Sequence, residues 1–321
     1  MAQSKKGKKP ASRTAKSAQT AKVTKAAKTS KAAKPAKAGP AVAVTKPAAS
    51  AEADSKKSRA ATRMESWNKW LAAAYAVEAL AIIIAGTGHT FPVVIHFLGV
   101  DTMLSQTAGH TVNALATRHL FDVPLAQVLA LVLAIPAVLH LMLSSYLHNQ
   151  YNAWMERGMN PIRWLDGAFS ASLLPVAIGL AAGFSDITGL LMLFALGFIT
   201  HLLGMLMELY NQPYTTYKAD TPAKDTKPFF LMVVAGTAAW LALGLFLGAS
   251  LIFGAGLPWH AWVSYLTALV FVVLITLLLV RNYRRQGRWK DYQKTERAFM
   301  VLSFAAKSVV AWELFAAVLR P

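Results

Sequence analysis

Lys307 lies in the middle of the apolar run "VLSFAAKSVVAWELFAAVLR", residues 301–320. At that depth in a bilayer a lysine costs roughly 2.5 to 3.5 kcal/mol on insertion scales, so something must compensate it. A desolvated amine in an apolar pocket can condense with a carbonyl ligand to form a Schiff base; a structural ion pair is the other use for it. If the imine is protonated it needs a carboxylate, and one at about 4 Å with an effective dielectric near 20 supplies about 4 kcal/mol. Asp166, in "NPIRWLDGAFSAS", is the obvious partner. Ser303 lies four residues before Lys307 and Ser170 four after Asp166. On helices each hydroxyl therefore shares a face with its charged neighbour. Ser303 is placed to bond the nitrogen or the carboxylate, and Ser170 equally suits a small helix-packing residue.

The other ionisable residues in apolar runs are Glu78, His140, His201, Glu208 and Glu313. Glu208 reads as a solvated or capped acid at a helix end, and His201 as an interhelical hydrogen-bonding group rather than a ligand. Arg163 and Glu296 are expected at similar depth, tying two helices together. Asp166 is only three residues past Arg163, whereas Lys307 is eleven past Glu296. The axial mismatch of roughly 12 Å must be recovered by side-chain direction and helix tilt.

These groups need helices long enough to cross a membrane, and the composition agrees: 55% hydrophobic, 15% charged, mean hydropathy +0.40. Apolar runs of about twenty residues fall near 67–87, 125–147, 162–183, 187–209, 229–253, 259–281 and 298–319. The fold class is an all-α membrane protein, a seven-helix bundle over residues 64–321. With no cysteine, disulfides, zinc–thiolate sites and cysteine nucleophiles are excluded. No secretory signal is expected, because the first apolar run is long enough to span and stay. No H-E-x-x-H, phosphate loop or G-x-S-x-G is present, so an enzyme is not expected.

The net charge of +18 is concentrated in residues 1–63, where 17 Lys and Arg face Glu52 and Asp54. This Ala/Lys/Thr/Ser/Pro stretch has no aromatic residue and reads as a disordered basic tail. Its bland role is to fix topology; the sharper one is to bind anionic lipid headgroups. Without interleaved aromatics, nucleic acid is the least favoured partner. Basic residues recur in alternate connections: Arg157 and Arg163; Lys218, Lys224 and Lys227; and "RNYRRQGRWKDYQKTER". That alternation predicts a multi-pass protein of the plasma membrane with its N-terminus cytoplasmic and its C-terminus outside. The long connection 86–124 holds His89, His96, His110 and His119, whose irregular spacing fits ordinary loop histidines better than a metal site. An ordered loop of this length also suits a subunit contact.

Four stretches, with a cytoplasmic N-terminus ahead of seven spans, together resemble heliorhodopsin, a retinal-binding family inverted in the membrane relative to other microbial rhodopsins. They are "ERAFMVLSFAAKSVVAW", "NPIRWLDGAFSAS", "HLMLSSYLHN" and "MELYNQP". The likeness covers residues 67–321. It implies all-trans retinal on Lys307, a counterion at Asp166, Ser303 beside the Schiff base, and His140 in a polar cavity on the cytoplasmic side. Ser170 and Trp312, which closes the last-span motif, complete the implied retinal-binding set. It further implies homodimers to which the first outside loop contributes, a slow photocycle, and signalling to or regulation of a cytoplasmic partner protein. The chain departs from the family in three places. Asp166 stands where glutamate is usual, which is expected to lengthen the ion pair and shift the colour; Tyr75 replaces a histidine; and Glu78 and Glu313 replace neutral amides.

The leading reading is a light sensor of this kind. The alternative is a light-driven proton or ion transporter or channel using Glu78, Asp166 and Glu313, which predicts a light-induced pH or current signal. A scaffold without chromophore, Lys307 being structurally paired, is the third.

Overall fold

The computed structural model describes residues 48–211, 225–254 and 256–319. Most of the basic tail, and Lys218 and Lys224 among the residues read for orientation, lie outside the described residues. The chain divides at Ala48 into an N-terminal unit and a unit spanning Ala49–Pro321. Helix α1 runs Ala48–Ala85, so residues 48–63, read above as disordered tail, are helical. Their "AASAEADSKKSRAATR" is rich in Ala, Lys and Arg, all strong helix formers. The stretch also continues a helix that the apolar run nucleates, which spares it the cost of a first turn.

Seven helices among the described residues are long and apolar enough to cross a membrane: 61–85, 125–144, 161–181, 187–210, 229–253, 259–283 and 292–319. They match the seven runs read from hydropathy. The last begins earlier than expected because Asp291 caps it, its carboxylate accepting from the Gln293 and Lys294 N–H groups.

One element departs from an all-α fold. The connection after α1 forms an antiparallel hairpin of β1 (Thr90–Val100) and β2 (Asn113–Pro124), with the short helix α2 (Thr102–Ala108) at its tip. "TFPVVIHFLGV" is β-branched and aromatic, a composition that favours the pleated form. Asp101 caps α2, and Gly109 ends it at φ 72°, a left-handed conformation suited to glycine. The histidines of this region make local contacts. His96 bonds Asp186, His119 bonds Asp122, His110 bonds the Ala108 carbonyl and His89 packs edge-on to Phe91. Among the described residues no three His, Asp or Glu side chains gather as a metal site.

After α3 (Leu125–Ser144) and the short α4 (His148–Arg157), the third crossing is built from α5 (Pro161–Asp166), a π-helical turn (Gly167–Ala171) and α6 (Leu173–Ala181). Then follow α7 (Ile187–Tyr210), α8 (Phe229–Phe253), α9 (Trp259–Tyr283) and α10 (Tyr292–Leu314). The third crossing is the most enclosed, 72% buried against 22% for each of the next three. Asp166 therefore sits on the central helix, and α10 brings Lys307 against it.

Candidate functional site

Asn160 starts the site by accepting from the Ile162 and Arg163 N–H groups, while Pro161 occupies the first helical turn, where its missing N–H costs nothing. One turn on, Asp166 ends the regular helix. The Ser170 hydroxyl donates to both the Asp166 carbonyl and Asp166 Oδ1, each at 2.7 Å, and the Ser172 N–H reaches back five residues to the Gly167 carbonyl. A hydroxyl that occupies a helix carbonyl in this way accompanies the widening into a π turn, a feature common at functional sites.

Lys307 is 1% exposed, and its Nζ donates to Asp166 Oδ1 at 2.7 Å and Oδ2 at 2.6 Å. The aspartate thus reaches the amine with both of its oxygens. The roughly 12 Å offset closes because both long cations lean toward the starts of their own helices. Lys307 reaches down α10 to Asp166, and Arg163 reaches down α5 to Glu296 Oε2 at 3.1 Å.

Glu208 needs a correction. It is 2% exposed and accepts from the Asn160 N–H, Trp164 Nε1, Arg163 Nη2 and the Tyr292 hydroxyl at 2.7 to 3.0 Å. Asn160 Nδ2 also donates to Glu296 at 2.6 Å. One guanidinium and two acids therefore lock α5, α7 and α10 together at the end of the bundle opposite the hairpin. The sequence pairs Arg163 with Glu296, and Glu208 joins them from the end of α7.

The remaining residues fall at graded distances. Ser303 makes no recorded bond to Lys307 or Asp166; Ser170 is the hydroxyl that reaches the carboxylate, while Ser303 lies beside Tyr75. Ser303, His140, Asp166, Arg163 and Glu296 help line a cavity of about 20 Å³, room for a water-sized occupant. His140 Nδ1 donates to Asn68 Oδ1 at 2.7 Å, and its ring stacks 5.9 Å from that of Tyr75. Tyr75 lies fully buried under Lys307, with Nζ 5.6 Å from the ring centre. His201 donates to the Gly197 carbonyl of its own helix, so its bond is intrahelical rather than interhelical. Trp312, five residues past Lys307 and so turned about 140° around α10, packs edge-on to Phe315. Glu78 accepts from Ser308 at 2.6 Å and Glu313 from Thr267 at 2.9 Å.

The arrangement can hold one positive charge on a buried nitrogen against one carboxylate. Attaching a carbonyl ligand to Lys307 would leave one N–H, which Asp166 is placed to accept. A seven-helix membrane bundle with a lysine–carboxylate pair at its centre is the architecture of a rhodopsin-class protein. The family model described as Heliorhodopsin matches residues 64–319, and the chain belongs to the heliorhodopsin family. It is a multi-pass membrane protein of a retinal-binding family. Comparison with the curated proteins gives no match.

Proposed function

We propose that the chain is a light-sensing receptor in which Lys307 carries all-trans retinal and Asp166 is the counterion. The observation that carries this reading is the buried Lys307–Asp166 pair, made with both carboxylate oxygens in the centre of the bundle. The residues fit the group: the amine is buried, and its counter-charge is already oriented by Ser170. When bound, retinal supplies a polyene whose light-driven isomerisation changes shape and charge beside Lys307. The chain's own part is electrostatic and mechanical. Asp166 keeps the nitrogen cationic, Ser170 fixes the carboxylate's direction, and the Tyr75 ring lies within reach of the nitrogen. A charge displaced at this point is felt by α5 and α10, which share the Arg163 clamp, and so reaches the basic end of the bundle.

The reading includes a cytoplasmic N-terminus, a slow photocycle, a homodimer with the hairpin at its contact, and a cytoplasmic signalling partner. Transport is less well supported. Glu78 and Glu313 bond different helices and have no recorded bond to the Lys307–Asp166 pair, so the three acids form no hydrogen-bonded run among the described residues. The test is to add retinal to purified protein. Wild type should gain a visible band that Lys307→Ala lacks, and illuminated vesicles should show no pH change. A colourless wild type refutes the reading, and a sustained light-driven pH change transfers the function to transport.

A further inference from the structure

The connection between α9 and α10 is short, basic and held from beneath. Gln286 N–H bonds the Arg281 carbonyl, and Arg285 takes a left-handed φ of 53°, the one non-glycine residue among those described to do so. A 3₁₀ turn, Gly287–Lys290, follows. Asn282 Nδ2 and the Thr295 hydroxyl both donate to the Trp289 carbonyl, at 2.8 and 2.9 Å, so the two helix ends grip the turn. Trp289 packs on the core cluster around Trp164 and Tyr283, and the Arg288 guanidinium lies 4.3 Å over its ring. The turn is therefore preorganised.

Its outer surface is predominantly basic. Arg281, Arg284, Arg288 and Lys290 are all exposed. The nearest acids are engaged: Asp291 caps α10 and pairs with Lys294 at 3.6 Å, and Glu296 is buried on Arg163. Membrane crossings end at Tyr283 and restart at Tyr292, which sets the cations between them at headgroup depth.

We infer that this turn binds the headgroup of an anionic membrane lipid, with Arg284, Arg288 and Lys290 as its cations and Trp289 as its platform. A rigid cluster at headgroup depth fits a lipid phosphate better than an acidic protein, which would have to reach into the interface. The inference is independent of the retinal reading. Each basic residue near an anionic surface contributes about 1 kcal/mol, so removing three should lower the preference for anionic lipid by about a hundredfold.

The test uses the full chain in phosphatidylcholine nanodiscs containing a minor fraction of brominated lipid, either phosphatidylglycerol or phosphatidylcholine. Bromine quenches nearby tryptophan, and the Trp289 share is obtained by difference from Trp289→Phe. Brominated phosphatidylglycerol should quench Trp289 more than brominated phosphatidylcholine, and the excess should vanish in Arg284→Gln/Arg288→Gln/Lys290→Gln, whose unaltered tail controls for tail binding. Inorganic phosphate should not remove the excess. Equal quenching by the two lipids, an excess that survives the triple substitution, or an excess abolished by free phosphate would each overturn the inference.

Discussion

At the residue scale the central object is one ammonium and one carboxylate buried together in the bundle. Each makes the other tolerable, and removing one partner of a buried pair leaves an uncompensated charge costing about 3 to 5 kcal/mol. Asp166→Asn should therefore destabilise the retinal-free protein by about that amount. Asp166→Asn/Lys307→Met should lose much less than the sum of its single substitutions. Thermal unfolding in detergent followed by tryptophan emission measures all three, and additive losses would show that the pair is not coupled. Lys307 and Asp166 were legible as partners because intramembrane charge is scarce and each demands compensation. Their hydroxyl was harder to assign, because i, i+4 spacing suited Ser303 and Ser170 alike. It is the Ser170 hydroxyl, carried on the π turn, that bonds the carboxylate.

At the element scale, close helix contacts hold the site in place. Gly204 of α7 lies against Trp164, and a Cβ there would overlap the indole. Trp164 is pinned by its bond to Glu208, so it cannot swing aside freely. Gly204→Ala should cost about 1 to 3 kcal/mol by overpacking, read as a lowered melting temperature, while the conservative Gly248→Ala, with nothing within 4 Å of its Cβ, should be near neutral.

The hairpin is fastened by a different contact. Asp186 caps α7 and accepts from the Thr188 hydroxyl and from both the ring and backbone N–H of His96. These bonds, the Thr188 hydroxyl first, hold its carboxyl well below the usual carboxylate range. A depressed folded-state pKa gives stabilisation that is complete above the ordinary value near 4 and lost as pH falls through the folded one. Amide exchange at Val94, whose N–H bonds the Ser185 carbonyl, should accelerate below about pH 4 in wild type. Asp186→Asn should lack that acid-linked step, and retaining it would assign the fastening elsewhere. Neither the hairpin nor the Glu208 cluster was readable from hydropathy. Hydropathy locates spans and says nothing of how a connection folds or of which distant acid meets an arginine; in the hairpin only the β-branched run hinted at strands.

At the scale of the whole molecule, the seven crossings were legible, the middle five to within three residues at each end and the first and last with starts six residues too late, because twenty apolar residues must either span or aggregate. The start of the first helix was not: composition marks residues 48–63 as unable to fold alone, and they are helical as an extension of α1. The proposed orientation rests on charge alternation, and a cytoplasmic N-terminus predicts that protease added to intact cells spares the basic tail while protease added to inverted vesicles removes it. The reverse pattern would invert the assignment of both faces. The most direct test of the central claim is to locate the chromophore covalently. Borohydride reduction of the illuminated, retinal-loaded protein, followed by peptide mass mapping, should place the whole added mass on Lys307. Label on any other lysine, or none in a coloured sample, would contradict the account.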